Sequence, residues 1–317
     1  MTGTVVALSG GVGGAKLVHG LARVLGAQEL TIVANTGDDF VHLGLAISPD
    51  IDTILYTLAG LVDPLQGWGR RDETWTFMAA LGELGGETWF RLGDADLALH
   101  VERTHRLAGG ATLTEVTAHL ARQLRVGARV LPMSDDEVRT RLCTDGGWLD
   151  FQDYFVRCRC EPPVREVRYA GADAATASAD VLAALRGADL RAVVICPSNP
   201  LLSVGPILAL PAIRAALADC GAPVIAVSPI IGGKAVKGPT AKMMRELGIE
   251  PSAGEVARGY AGLIDAFVVD PTDAAGSFPS GVRVFTAPAL MTTVEDRERL
   301  ARAVLAAADE WTRGRFV

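Results

Sequence analysis

The chain has 317 residues, of which 49% are hydrophobic and 21% are charged. This composition is typical of a globular protein and excludes intrinsic disorder, which requires low hydrophobicity together with high net charge. Thirty basic residues stand against 37 acidic ones, a formal net charge of −7. A broad nucleic-acid-binding face is therefore not expected, although a local basic pocket for one anionic ligand is compatible with this balance.

The cysteines and the apolar stretches bear on where the chain resides. Five cysteines, an odd number, occur without a Cys-x-x-Cys pair, which favours free thiols over a disulfide framework or a zinc site. The segment from Met1 to Thr4 lacks the basic and then apolar layout of a signal peptide. The longest uncharged stretch, residues 192–213, contains four prolines and cannot form the unbroken helix of a membrane span. We therefore expect a cytoplasmic protein with no membrane segment.

The chain opens with the pattern of a βαβ unit. Residues 4–8 form a continuous apolar run, typical of a parallel strand that is buried on both faces. Residues 9–14 form a glycine-rich loop in this interpretation, and residues 15–25 carry leucine at every fourth position, which predicts a helix. Residues 30–35 predict a second strand. This order favours a right-handed crossover between two parallel strands.

Strands and helices continue to alternate along the rest of the chain. Further strands are predicted at residues 128–131, 192–196, 223–228, 266–270 and 282–285. A closing helix is predicted at residues 294–313. Residues 52–124 are mainly helical in pattern, and residues 139–157 predict a β-hairpin around a Thr-Asp-Gly-Gly turn. We predict one α/β domain over residues 1–317: a doubly wound, mainly parallel Rossmann-like sheet with an inserted helical and β-hairpin subdomain roughly within 60–170.

A glycine-rich segment follows the first predicted strand. It has the sequence Ser-Gly-Gly-Val-Gly-Gly-Ala-Lys, and glycines at a helix N-terminus let backbone N–H groups approach a phosphate. It is not the full dinucleotide fingerprint Gly-x-Gly-x-x-Gly, because a count from Gly11 places Lys16 where the third glycine belongs. It also lacks the Gly-Lys-Ser/Thr sequence of a P-loop. The alternative is a tight strand-to-helix turn without a ligand. We predict nucleotide or phosphate contacts from Gly11, Val12, Gly13, Gly14 and Lys16.

Four aspartates follow the second predicted strand. Asp38 and Asp39 lie in a turn directly after it, and Asp50 and Asp52 precede an apolar helical pattern. Carboxylates two residues apart can both reach a hard cation such as magnesium, which takes oxygen ligands and bridges to phosphates. The alternative for the first pair is a solvated turn, and for the second pair it is helix capping.

Two later loops carry small polar groups and bare backbone. Ser198 and Asn199 follow the fourth predicted strand, and Gly232 and Gly233 follow the fifth. The carboxyl ends of parallel strands meet at one edge of an open sheet, where ligands bind. Ser, Asn and backbone groups recognise a base or a ribose without much charge. We therefore predict nucleotide contacts from these four residues.

Residues 91–105 carry several charged and imidazole side chains. Arg91 precedes the sequence Leu-Gly-Asp-Ala-Asp, and it could hold a phosphate or the polar edge of a ring. His100 and Arg103 are three residues apart and share one face of the predicted helix. A lone histidine in such a position is more often a packing or surface residue than a catalyst.

Absent motifs narrow the chemistry. The sequence has no Gly-x-Ser-x-Gly elbow, no His-Glu-x-x-His pair and no kinase signature, so nucleophilic acyl chemistry and zinc chemistry have no support. Glycine loops, aspartates and a few basic residues fit phosphoryl transfer, in which positioning and charge neutralisation provide most of the catalysis.

Seven segments, taken in order, resemble the 2-phospho-L-lactate transferase (CofD) family of coenzyme F-420 biosynthesis. They are residues 10–16, 35–39, 48–53, 92–96, 131–136, 197–200 and 228–232. The resemblance implies a magnesium-dependent transferase whose acceptor is the deazaflavin Fo, a flavin-like ring with a ribitol tail. It also implies a guanosine diphosphate conjugate of a lactyl, enolpyruvyl or glyceryl acid as the donor. The ribitol hydroxyl attacks the phosphorus nearest the acid, and GMP leaves.

The resemblance also suggests roles for individual residues. It places the Fo contacts at Asp52 and Arg91, where arginine replaces the lysine of some relatives and so changes the hydrogen-bond geometry. We predict that Asp50, with Asp38 or Asp39, holds Mg²⁺ against the diphosphate. We further predict that Asp52 orients or deprotonates the ribitol hydroxyl. Asp50 and Asp52 are thus the predicted catalytic residues.

Two other functions share parts of this pattern. CofD-like regulators that bind nucleotide sugars without catalysis have the same glycine opening. An NAD(P)-dependent oxidoreductase on a Rossmann sheet is the second alternative, and Lys16 in place of the third glycine counts against it. For a soluble enzyme with small-molecule substrates, a homodimer is the expected assembly.

Overall fold

A computed structural model describes residues 3–314, so Met1 and Thr2, on which the signal-peptide prediction partly rests, and residues 315–317 lie outside it. The strands are β1 (Thr4–Ser9), β2 (Leu30–Ala34), β3 (Phe40–His42), β4 (Leu45–Ile47), β5 (Arg129–Pro132), β6 (Arg139–Thr144), β7 (Gly147–Asp150), β8 (Val164–Ala170), β9 (Leu190–Ile195), β10 (Val224–Val227), β11 (Ile230–Ile231), β12 (Lys234–Ala235), β13 (Ala266–Val269) and β14 (Arg283–Thr286). The helices are α1 (Gly11–Val24), α2 (Pro49–Leu58), α3 (Thr76–Glu83), α4 (Asp94–Ala108), α5 (Leu113–Gln123), α6 (Ala179–Leu185), α7 (Gly205–Ala209), α8 (Pro211–Ala218), α9 (Thr240–Glu246), α10 (Ala253–Gly259) and α11 (Val294–Gly314).

Seven strands of the described chain form one parallel sheet in the order β14-β13-β10-β9-β1-β2-β5. Each overlaps one of the seven strands predicted for the sheet, so the doubly wound α/β prediction is confirmed. From β1 the chain builds outward through β2 to β5, and from β9 it builds outward the other way to β14. The strand order therefore reverses between β1 and β9. Such a switch point is where open α/β sheets bind their ligands.

Most residues of the sheet strands are apolar and buried because helices cover both faces. Successive residues of β1 point to opposite faces. Val5 belongs to the core under α1, α2 and α11, together with Leu17. Val6 belongs to the core on the other face, together with Ile213 of α8. Each such side chain, when fully buried, stabilises the fold by roughly 1.5–3 kcal/mol relative to exposure.

The glycine-rich segment is mostly helix, which corrects the predicted loop at residues 9–14. Gly11 has φ of +61°, a conformation that a side chain disfavours, and α1 begins there. The chain thus turns from β1 into α1 within two residues. The predicted closing helix is confirmed as α11.

Two excursions from the sheet lie largely within the predicted insertion range of residues 60–170. The first contains α3 and α4. It packs with the β3–β4 hairpin around a small core of Ile47, Met78 and Leu92. The sequence analysis did not predict this hairpin. The second is an antiparallel sheet in the order β7-β6-β8. It confirms the predicted hairpin, with its turn at Thr144–Gly147, and adds β8. Between the excursions, β5 and the helix α5 that packs on it belong to the main sheet, and the domain boundaries stay a prediction.

Three of the four prolines in the uncharged stretch at residues 192–213 begin new elements. Pro200 starts a π-helical turn, Pro206 lies in the first turn of α7, and Pro211 starts α8. Proline is tolerated at these positions because an N–H group in the first turn of a helix forms no hydrogen bond within the helix.

Among the described residues, no single helix has both the length and the apolar composition of a membrane span. One pair, Pro200–Ala209 with Pro211–Ala218, meets those criteria only when combined across an 86° bend.

Candidate active site

The carboxyl ends of β1 and β9 meet at the switch point. The N–H of Gly10 donates to Ser198 Oγ at 3.3 Å, which ties the start of α1 to the loop after β9. A Cβ at Gly13 would overlap the carbonyl oxygen of Pro197, and one at Gly14 would overlap the hydroxyls of Ser198 and Ser9. These two glycines therefore let the N-terminus of α1 lie directly against the loop after β9.

A Gly13→Ala substitution is expected to lower the free energy of unfolding by about 1–3 kcal/mol, the usual cost of overpacking. The matched control is Gly259→Ala, because Gly259 ends α10 and a Cβ there meets nothing within 4 Å. Urea unfolding followed by circular dichroism measures both. A Gly13→Ala chain as stable as the Gly259→Ala chain would refute this packing.

Asp50 lies in the first turn of α2 and reaches across to α1. Its Oδ1 accepts a hydrogen bond from the N–H of Gly11 at 2.6 Å, and its Oδ2 accepts one from Asn35 Nδ2 at 2.9 Å. The side chain is 5% exposed. Burial raises the pKa of Asp50 to about 6, although both hydrogen bonds act in the opposite direction. Because the N–H of Gly11 is already engaged, a phosphate at this helix end would use the N–H groups that follow it.

Asp38 and Asp39 are both buried, so the solvated-turn alternative is wrong. Oδ1 of each has no hydrogen-bond partner among the described residues. Burial, and then repulsion from Asp50, raises the pKa of Asp38 well above its ordinary value. Burial raises the pKa of Asp39 to about 8, against the hydrogen bond that its Oδ2 accepts from Ser48 Oγ at 2.7 Å. Apart from that bond, the charges that act most on Asp39 are Arg103 and Arg139.

Asp38 and Asp50 are the two carboxylates that best fit a divalent cation. One brings an unpartnered buried oxygen, and the repulsion between them is the kind that a bound cation relieves. Within residues 3–314 no three His, Cys, Asp or Glu side chains form a metal cage. Magnesium is typically held by one or two carboxylates together with substrate phosphates, so a pair of this kind suits it.

Asp38→Asn is expected to raise the free energy of unfolding by about 1–3 kcal/mol in the absence of metal, since it removes one of two buried carboxylates that repel each other. Thermal melts with and without Mg²⁺ measure this, with the exposed Asp145→Asn as the control. The variant is also expected to lose most of any stabilisation by Mg²⁺. A chain that melts below the wild type and keeps the same response to Mg²⁺ would contradict this interpretation of Asp38.

Asp52 makes different contacts from Asp50, although the two lie close enough for the charge of Asp52 to raise the pKa of Asp50. The prediction that Asp50 and Asp52 share one cation is not tested by these contacts and stays a prediction. Asp52 forms a buried ion pair with Arg103, in which Nη1 lies 3.1 Å from Oδ2 and Nη2 contacts Oδ1. Burial raises the pKa of Asp52, and Arg103 and His100 oppose that rise.

The partners of Asp52 come from α4. His100 Nδ1 lies 3.7 Å from Asp52 Oδ2, and His100 Nε2 lies 3.2 Å from Asp96 Oδ2. Asp96 Oδ1 accepts a hydrogen bond from the Tyr56 hydroxyl at 2.6 Å. The shared helix face of His100 and Arg103 was visible in the sequence, but their partner on α2 was not. Sequence reasoning therefore missed the ion pair between Arg103 and Asp52.

Arg91 and Lys16 are oriented by contacts that the sequence did not suggest. Arg91 is exposed, and its guanidinium lies 3.9 Å from the centre of the Trp75 ring. Its contact with Fo stays a prediction. Lys16 Nζ donates to the carbonyl oxygen of Met291 at 2.8 Å, so it is held by the segment before α11. Burial, and then Arg297, lower the pKa of Lys16. A phosphate contact by this lysine would require it to leave that carbonyl.

The loops after β9 and β10 differ in what they can offer a ligand. Asn199 Oδ1 accepts hydrogen bonds from two backbone N–H groups and so caps the π-helical turn, whereas its buried Nδ2 has no partner among the described residues. Gly232 and Gly233 form the turn between β11 and β12, and both have positive φ. The N–H of Gly232 donates to the carboxylate of Asp273 at 2.9 Å. The amide of Asn199 is therefore the better-placed donor.

The chain is similar over nearly its whole length to proteins of one family. A family model described as 2-phospho-L-lactate transferase CofD matches residues 5–280. Two proteins named phosphoenolpyruvate transferase are close relatives: that of Kitasatospora aureofaciens is 42% identical, covering 98% of this chain and 99% of its own, and that of Mycolicibacterium smegmatis is 41% identical, covering 95% and 97%. A crystal structure of a UPF0052-family protein from Bacillus halodurans has the same fold, with a TM-score of 0.64 at 16% identity over 96% of this chain and 99% of that one. The chain belongs to the 2-phospho-L-lactate transferase CofD family.

Proposed function

We propose that the protein transfers the phosphoenolpyruvyl group of a guanosine diphosphate conjugate to the ribitol hydroxyl of Fo, releases GMP, and depends on Mg²⁺. Family membership supports the reaction class. The enolpyruvyl acid is favoured over the lactyl and glyceryl acids because relatives 38–42% identical to this chain are named phosphoenolpyruvate transferase.

One observation carries the proposal: buried carboxylates with unmet bonding capacity lie at the switch point, beside the N-terminus of α1. Asp50 contacts the first N–H of α1, and Asp38 adds an oxygen that has no partner among the described residues. Such a site has positive helix ends for phosphate oxygens and negative side chains for a cation. A diphosphate with its magnesium ion matches both.

The chain's own groups would bind the donor as follows. Asp38 and Asp50 would hold Mg²⁺, which when bound neutralises charge on the diphosphate and on the departing GMP. The N–H groups of Val12 and Gly13 would contact phosphate oxygens at the end of α1. Asn199 Nδ2, a buried donor, would contact the nucleoside or its phosphate.

Asp52 would serve the acceptor. The ribitol oxygen forms a bond to the phosphorus nearest the enolpyruvyl group, the bond from that phosphorus to the GMP oxygen breaks, and the hydroxyl proton passes to the Asp52 carboxylate. A general base must lie within hydrogen-bond reach of the proton it takes. The pair with Arg103 leaves lone pairs on both Asp52 oxygens for that contact.

The test is turnover with Fo, Mg²⁺ and each of the three donors, with GMP and the coupled deazaflavin quantified by mass spectrometry. We expect equal amounts of both products, fastest with the enolpyruvyl donor and absent without Mg²⁺. Faster turnover with the lactyl or glyceryl donor would overturn the choice of donor. Tight binding of a UDP-sugar without binding of Fo would instead indicate a regulator, and saturable nicotinamide binding would indicate an oxidoreductase.

We also propose that the protein is a homodimer. Closed two-fold dimers are the commonest soluble assemblies. Leu65 and Leu84 are 89% and 86% exposed, and association would cover apolar side chains of this kind. Light scattering at the exit of a sizing column should give twice the chain mass, whereas the single-chain mass would contradict the dimer.

A further inference from the structure

Helices α2 and α4 are joined by a row of polar contacts. Asp52 and Tyr56 lie four residues apart on one face of α2, and Asp96, His100 and Arg103 share one face of α4. Tyr56 bonds to Asp96 at one end of the row, and Arg103 bonds to Asp52 at the other. Because α4 belongs to the first excursion from the sheet, these contacts connect that excursion to the active site.

Arg103 fixes both oxygens of the Asp52 carboxylate. It is 0% exposed, and each of its two terminal nitrogens contacts a different oxygen of Asp52. Nη1 also donates to the carbonyl oxygen of Ala46 at 3.3 Å and lies 3.3 Å from His100 Nδ1. The guanidinium is therefore held from several sides, and a planar fork of this kind sets the plane of the carboxylate it binds.

The placement of this ion pair suggests a use beyond stability. A buried ion pair is generally no more stabilising than a well-packed apolar pair of the same volume, so its particular contribution is orientation. The oriented group is Asp52, which lies two residues from Asp50 on the helix that reaches the switch point.

We infer that Arg103, supported by His100, is a positioning residue for the transfer: it holds the Asp52 carboxylate in the orientation that meets the acceptor hydroxyl. The inference rests on the proposed function. It assigns to the α2–α4 contacts a role in turnover that is separate from the binding of the donor.

The first test compares Arg103→Lys with Arg106→Lys. Arg106 lies on the same helix in a half-exposed pair with Glu102, where exchange of the cation should change little. Lysine at position 103 keeps the charge and loses the fork. We expect it to lower kcat by about 10²-fold, the scale of a small misplacement of reacting groups, with the KM for the donor within about twofold of wild type. Arg106→Lys should retain wild-type kcat.

The second test repeats Arg103→Lys in an Asp52→Asn background, with folding checked by thermal melts. If Arg103 acts through Asp52, the residual turnover of Asp52→Asn should change less than about threefold when Arg103→Lys is added. If Arg103→Lys fails to fold, His100→Gln runs through the same cycle and should behave in the same way.

Either of two results would overturn the inference. One is a kcat for Arg103→Lys equal to that of Arg106→Lys. The other is the same fractional loss with and without the Asp52 carboxylate, as a purely structural role predicts. A folded wild-type chain that releases no GMP from any of the three donors contradicts the proposed function itself, and the inference with it.

Discussion

Asp50→Asn is expected to lower kcat by about 10³-fold, because a metal-ion contact at a diphosphate is worth several kcal/mol in the transition state. Asparagine keeps the size of the side chain, and its oxygen can still accept the hydrogen bond from the N–H of Gly11. What it loses is the negative charge that would hold the cation, together with the oxygen that accepts from Asn35 Nδ2. GMP release measured over a range of Mg²⁺ concentrations reports both the rate and the metal dependence.

The control for this substitution is Asp145→Asn, which changes an exposed turn carboxylate paired with Arg165. It should keep the wild-type rate and the wild-type response to Mg²⁺. If Asp50→Asn instead turned over at nearly the wild-type rate with the same Mg²⁺ dependence, Asp50 could not be a ligand of a catalytic cation.

Arg103→Met is expected to lower the free energy of unfolding by about 3–5 kcal/mol, since it leaves the charge of Asp52 buried without a partner. Urea unfolding measures the loss. Adding Asp52→Asn to the same chain should recover most of it, because the second substitution removes the uncompensated charge. This recovery separates an electrostatic cause from a simple loss of packing, which a second substitution would deepen.

Arg165→Met provides the matched comparison. Arg165 also forms a two-point pair with a carboxylate, that of Asp145, at 2.8 and 3.0 Å, but both side chains are more than half exposed. Exposed pairs contribute little to stability, so this variant should unfold at the wild-type urea concentration. Equal losses for the two arginines would show that burial of the Asp52 pair is not the source of its importance.

The central sheet could be predicted from sequence because most of its strands are buried on both faces. Residues 5–8 of β1 and 192–195 of β9 are continuous apolar runs, a pattern that few other elements share at that length. The β3–β4 hairpin and β8 were missed because they lie outside that sheet. Val41 of β3 is 68% exposed and β8 alternates only in part, so neither has a continuous apolar run. The start of α1 was misplaced because four glycines in six residues disfavour a helix by intrinsic preference. In the structure, packing against the loop after β9 requires two of them, Gly13 and Gly14.

The candidate site was only partly predictable. Asp38 directly follows the second predicted strand, and this order alone locates it at the edge of the sheet, whereas Asp50 lies 15 residues beyond the end of that strand. The prediction that Asp50 and Asp52 share a cation did not take account of the arginine that engages Asp52. The partner of Asp52 is 51 residues away, and only tertiary packing brings α4 to it. Lys16, predicted as a phosphate contact, is held by Met291 from a segment 275 residues distant.

A crystal grown with GDP and Mn²⁺ in place of Mg²⁺ tests the central claim most directly, because the anomalous signal of manganese locates the ion. We predict a peak in contact with the carboxylates of Asp38 and Asp50, with the diphosphate against the N–H groups of Val12 and Gly13. A nucleotide and metal bound elsewhere on the chain, with those carboxylates still contacting only protein, would contradict it.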